Sequence, residues 1–190
     1  MQIDATVGPL EARMDVRTTD TRAALLCHPH PQYGGSMHDA VLDCAAQRLS
    51  DAGFATLRFN FRGVGGSAGA FDNGVGEKVD VIDAWNWLRA QSNWDALWLV
   101  GYSFGAAMAW GAQRDCAGLD RLVLIAPPAS AIALPAEAGD GAYDVIVGTE
   151  DGFFSAARLP PGARLQTLPG ADHFFGGEFD ALAAAVTTLL

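Results

Sequence analysis

Positive charge, cysteine and long apolar runs are all scarce in this chain, and each shortage removes a class of function. Lys and Arg together number 12 against 22 Asp and Glu, a formal net charge of −10 at pH 7. That balance argues against nucleic acid or an anionic membrane surface as the main partner and disfavours polyanionic substrates. The 3 cysteines, Cys27, Cys44 and Cys116, are too few and too widely spaced for a disulfide framework or a zinc pattern. Core packing in a reduced, cytoplasmic protein is the plain expectation for them. No uninterrupted apolar run reaches membrane length, and Asp4 stands before any apolar run of the kind a secretory signal needs.

What is present describes a globular chain. Its 190 residues are 50% hydrophobic and 18% charged, which predicts one domain over residues 1–190. Ile3, Ala5 and Val7, then Leu10, Ala12, Met14 and Val16, alternate with polar residues on either side of Gly8-Pro9. That pattern predicts a half-exposed hairpin at a sheet edge. Short stretches that read as strands follow at Ala23–Cys27, Phe54–Phe61, Leu97–Val100, Leu122–Ala126, Tyr143–Gly148 and Arg164–Leu168. Helical spacing separates several of them. Met37, Val41, Ala45 and Leu49 recur every four residues, with Ser36 and Asp39 as a capping box. Val81, Trp85 and Leu88 share a face behind Glu77 and Asp80, and Phe179, Leu182, Val186 and Leu189 mark a terminal helix. Strands alternating with helices or short crossovers predict a mostly parallel sheet covered on both faces. The glycine-rich loop Arg62–Gly69 lacks the Lys-Ser/Thr pair of a phosphate cradle, so a structural loop near the site is expected.

The organising stretch is Leu97–Ala107. Four apolar residues run into Gly101-Tyr102-Ser103-Phe104-Gly105 and then into small helix formers. This is the G-x-S-x-G elbow, in which a strand turns sharply into a helix and lifts a serine hydroxyl clear at the sheet's carboxyl edge. A glycine-rich turn without chemistry is the bland alternative. A serine hydroxyl needs a base, and in such sheets the order is serine, acid, histidine. Of His28, His30, His38 and His173, only His173 follows Ser103. Asp151, in Gly148-Thr149-Glu150-Asp151-Gly152, suits the acid, with Glu150 the runner-up; Asp172 is too close along the backbone to His173. The oxyanion hole needs two backbone N–H groups. One is expected from Phe104 and one from the loop after Cys27. Pro29 and Pro31 carry no N–H, so the donors there are His30, Gln32, Tyr33, Gly34 and Gly35, with His30 favoured and Tyr33 second. The pair His28-x-His30 has no clustered third ligand, so no metal is expected, and no cofactor is implied.

Together these segments resemble the α/β-hydrolase superfamily. The likeness is to its small, lidless bacterial hydrolases with an HPHP-x-x-GG loop. It is carried by CHPHPQYGGS (Cys27–Ser36), ATLRFNFRGVGGS (Ala55–Ser67), LWLVGYSFG (Leu97–Gly105), LIAPP (Leu124–Pro128) and GADHFF (Gly170–Phe175). The resemblance implies an eight-stranded, mostly parallel sheet with its second strand antiparallel, helices on both faces, and a triad of Ser103, Asp151 and His173. Ala129–Ala142 is too short for a cap domain. The expected activity is hydrolysis of small or short-chain carboxylic esters in an open site lined by Tyr33, Tyr102, Phe104, Phe153 and Phe174. Thioester hydrolysis, acyl transfer, amide cleavage or a non-catalytic binding role are the alternatives. A small-molecule ester is the expected partner, and the chain is expected as a monomer or homodimer.

Overall fold

The computed structural model describes residues 1–136 and 142–190. One sheet of 8 strands is formed by β1 (Gln2–Ile3), β2 (Leu10–Asp15), β3 (Arg22–Cys27), β4 (Phe54–Phe59), β5 (Ala96–Tyr102), β6 (Arg121–Ile125), β7 (Tyr143–Gly148) and β8 (Ala163–Leu168). Around it lie α1 (Ala40–Asp51), α2 (Val75–Arg89), α3 (Phe104–Ala112) and α4 (Phe179–Thr187). The spatial order is β1-β2-β4-β3-β5-β6-β7-β8. β2 runs antiparallel to β1 and β4, and the pairings from β4–β3 through to β7–β8 are parallel.

The two-residue repeat of a strand divides its side chains between two cores. In β3, Ala23, Leu25 and Cys27 join one cluster while Ala24 and Leu26 join the other. In β5, Leu97 and Leu99 face the first, and Trp98, Val100 and Tyr102 face the second. Both faces are apolar because both are covered, which is why these strands read as continuous hydrophobic runs. α2 closes the first face with Val81, Ala84, Trp85 and Leu88, and α1 and α4 close the second with Val41, Leu42, Leu49, Leu182 and Val186. α3 is buried along nearly its whole circumference, as its composition of Ala, Gly, Met, Phe and Trp requires.

Three expectations are corrected in detail. The first helix does not start at Met37: Asp39 is its cap, its Oδ1 accepting from the N–H groups of Val41 and Leu42, while Ser36 Oγ accepts only from His38 N–H. Glu77 does serve the start of α2, accepting from Asp72 N–H and Gly74 N–H at 2.7 Å each, but Asp80 is buried one turn on and pairs with Arg62. β4 ends at Phe59, before Asn60 and Phe61. The loop Arg62–Gly69 is held by Glu11, whose carboxylate accepts from Gly66 N–H and from the Asn60 amide at 2.8 Å each. The crossover from β7 to β8 holds only a 3-10 turn, Ala156–Arg158. The stretch Ala129–Ala142, read as too short for a cap, includes residues 137–141, which lie outside the described residues. Among the described residues, no helix is long and apolar enough to cross a membrane.

Candidate active site

Ser103 sits where β5 becomes α3, with φ 53° and ψ −119°, a backbone conformation that side chains other than glycine rarely adopt. Its neighbours make that turn possible. A Cβ on Gly101 would meet the backbone of Gly105 and Ala106, and one on Gly105 would meet the carbonyls of Cys27 and His28. Ser103 N–H donates to Ile125 O at 2.9 Å, tying the turn to the end of β6.

Two loops from adjacent strands bring the other groups to the serine. Asp151 lies just beyond β7 and His173 just beyond β8. Thr149 N–H donates to Leu168 O (2.9 Å) and Glu150 N–H to Ala171 O (3.0 Å), so the loops are laced together. Ser103 Oγ lies 2.9 Å from His173 Nε2, and His173 Nδ1 lies 2.8 Å from Asp151 Oδ2. With the carboxylate ionised, Nδ1–H donates to Asp151 and Nε2 is left to accept the serine proton. The second carboxylate oxygen of Asp151 accepts from Phe153 N–H at 2.8 Å, which fixes its rotamer. All three groups are buried: Ser103 is 9% exposed, Asp151 8% and His173 7%. Glu150, next in sequence to Asp151, is exposed. Asp172 closes its own turn, with Oδ1 accepting from Phe174 N–H and Gly176 N–H.

The loop after β3 faces the serine from the other side. His28 is fully buried, donating Nδ1–H to Pro29 O (2.7 Å) and accepting Phe61 N–H at Nε2 (3.0 Å). Burial pushes its pKa down to about 4. His30 points elsewhere, its Nδ1 accepting from Gln32 N–H and its ring packed on Tyr33, Phe71 and Phe104. Burial also lowers the His30 pKa, against an opposing pull from Glu77. The two imidazoles therefore serve different partners. Tyr33 N–H and Gly35 N–H both donate to His30 O, Gly34 N–H to Pro31 O, and Gln32 N–H to the His30 ring. Among the described residues the N–H of His30 itself has no partner. Phe104 N–H, first in α3, has none within its own helix.

A cavity of about 690 Å³ opens above Ser103. It brings together His30, Tyr33, Tyr102, Phe104, Phe153, His173 and Phe174 of the residues expected at the site, while Asp151 stands behind His173. Tyr102 is only 2% exposed, and Phe104 is buried against Phe61, Phe71 and His30. Sequence reasoning missed Asp39, Ala131 and Ile132 on the wall. Asp39 was visible only as part of a helix start, and Ala131-Ile132 belongs to no motif.

Comparisons with known proteins agree with this fold. A family model described as the alpha/beta hydrolase fold matches residues 25–169. An uncharacterized protein of Rickettsia prowazekii is 35% identical over 205 aligned positions, covering 96% of this chain and 84% of the relative. A lidless α/β serine hydrolase of Xanthomonas campestris superposes with a TM-score of 0.88 at 34% identity, covering 99% of this chain and 91% of the other. An α/β serine hydrolase homologue from Coxiella burnetii gives 0.87 at 30% identity over 100% of this chain and 96% of the other. The sheet order, the strained serine at the end of β5 and these likenesses converge: the chain belongs to the alpha/beta hydrolase fold family.

Proposed function

We propose that this hydrolase cleaves small carboxylic esters through Ser103, His173 and Asp151. The observation that carries the reading is the continuous line from Ser103 Oγ through His173 Nε2 and Nδ1 to Asp151 Oδ2, with 2.9 Å and 2.8 Å steps. Ser103 Oγ attacks the ester carbonyl while His173 Nε2 takes its proton. Asp151 holds the ring in the required tautomer and stabilises the imidazolium. The carbonyl oxygen gains negative charge and is met by the N–H groups of Phe104 and His30. Each such donor supplies roughly 3 kcal/mol at the transition state. His173 then gives its proton to the leaving alcohol. A water activated by the same imidazole releases the acid from Ser103.

The N–H of His30, free among the described residues, supports it over Tyr33 as second donor, since Tyr33 N–H is engaged at 3.1 Å within the 3-10 turn Pro31–Tyr33. Tyr33, Phe153 and Phe174 stand at the open mouth, and short acyl groups suit such a site. The chemistry calls on no cofactor. Fluorophosphonate labelling mapped by mass spectrometry is expected to place the adduct on Ser103. Unlabelled, folded protein would instead support a binding role. Among p-nitrophenyl esters, short chains are expected to turn over fastest; preference for chains beyond about ten carbons would contradict the open-site reading. Matched esters, thioesters and amides then rank the scissile bond.

A further inference from the structure

Asp39 is the one carboxylate lining the Ser103 cavity among the described residues, and no Lys or Arg lines it. It caps α1 with a single oxygen: Oδ1 accepts from Val41 N–H (2.8 Å) and Leu42 N–H (3.4 Å). Oδ2 has no hydrogen-bond partner among the described residues. The arginines of α1 and β4 are engaged elsewhere: Arg48 pairs with Asp51, and Arg58 with Asp43 and Asp15. Burial raises the Asp39 carboxyl pKa, and its two N–H donors pull it back down.

The wall also carries three solvent-facing aromatic rings. Tyr33 is 87% exposed, Phe153 49% and Phe174 64%, each on a different loop, and all three line this same cavity. Aromatic faces attract cations, most strongly where water is displaced. A neutral group bound here partly desolvates the Asp39 carboxylate without giving it a partner, and an anionic one meets like charge. An alkylammonium group satisfies both features: its carbons pack on the rings and its charge faces the carboxylate. The net charge of −10 draws such a ligand toward the protein.

We infer that the natural substrates are esters bearing an ammonium group, and that Asp39 is the specificity-determining residue. This rests on the esterase reading above. The carboxylate is partly offset by the N-terminal end of α1 and by solvent, so the preference is moderate rather than absolute.

The test compares three acetates of similar size on the full-length protein: the trimethylammonioethyl ester, its uncharged carbon isostere, and an ester bearing a carboxylate on the alcohol. Expected is a kcat/KM about ten-fold higher for the cation than for the isostere, lowest for the anion, with the spread narrowing as salt is added. Asp39→Asn keeps a capping oxygen and removes the charge, so the helix start survives. In that variant the ratio of cation to isostere is expected to fall toward one. A wild-type ratio at or below one, or a ratio unchanged in Asp39→Asn, overturns the inference. If Ser103 takes the fluorophosphonate label while charge leaves the rate unaltered, only the cation preference falls. If Ser103 takes no label and none of the acetates is cleaved, the esterase reading falls and the preference with it.

Discussion

Tyr102 donates its phenolic O–H to the backbone carbonyl of His173, 3.1 Å away, so the residue before Ser103 holds the loop that carries His173. The phenol is buried, which pushes its pKa up and keeps the proton in place for donation. β5 points Tyr102 into the core shared with Phe175 and α4, beneath the loop after β8. Tyr102 and His173 are 71 residues apart in the chain, and this bond joins them directly.

Removing that hydroxyl alone tests the link. In Tyr102→Phe the ring still fills its space and one neutral hydrogen bond of about 1 kcal/mol is lost. Steady-state kinetics should show kcat down about five-fold with KM little changed, because the bond positions the base without touching substrate.

The three groups at the centre should behave as one unit. Ser103→Ala and His173→Ala are each expected to lower turnover by roughly 10⁴ or more, with the double variant no worse than either alone. Asp151→Asn leaves the geometry in place but favours the wrong tautomer of His173, for an expected loss of about 10⁴. Wild-type rates in any of these variants would remove that residue from the mechanism.

Gly35 probes the proposed oxyanion loop without altering any of the groups proposed to react. A Cβ there would overlap the carbonyl oxygens of Pro29 and His30, so Gly35→Ala must displace the backbone that presents His30 N–H. A fall in kcat of about 10² to 10³ is expected, the effect of one lost donor. Circular dichroism should remain that of the folded protein.

His28 makes stability depend on pH. Its pKa is near 4 when folded and 6.5 in the unfolded chain, so the unfolded state binds the proton first as pH falls. The contribution is complete above about pH 6.5 and is lost as pH drops toward about 4, in total roughly 3 kcal/mol. Urea titrations across that window should show the midpoint falling with pH, and His28→Asn should flatten this part of the slope.

Much of the architecture was legible along the chain because local chemistry dictates it. Apolar runs such as Leu97–Val100 and Leu122–Ala126 have to be strands covered on both faces, and Gly101 and Gly105 are the residues that a crowded strand-to-helix turn admits. His173 could be singled out by order alone, since the other three histidines precede Ser103. Resemblance to lidless hydrolases supplied the antiparallel second strand, which no periodicity reveals.

Other features depended on where backbones meet in space. Asp151 and Glu150 are adjacent carboxylates with the same local signals. Only the lacing of the β7 and β8 loops turns one toward His173 and leaves the other in solvent. His30 and Tyr33 differ in whether the 3-10 turn consumes the N–H, which is why His30 is the one proposed as a donor; that is a matter of hydrogen-bond geometry that residue types do not encode. Asp39 read as part of a helix start, and it is that; it also lines the cavity, together with Gly34, Gly35 and Tyr102, because of where α1 begins in space. Composition and pattern thus determined which elements form and which residues could react. The packing of loops from separate strands, which brings distant side chains within 3 Å, decided which of them meet.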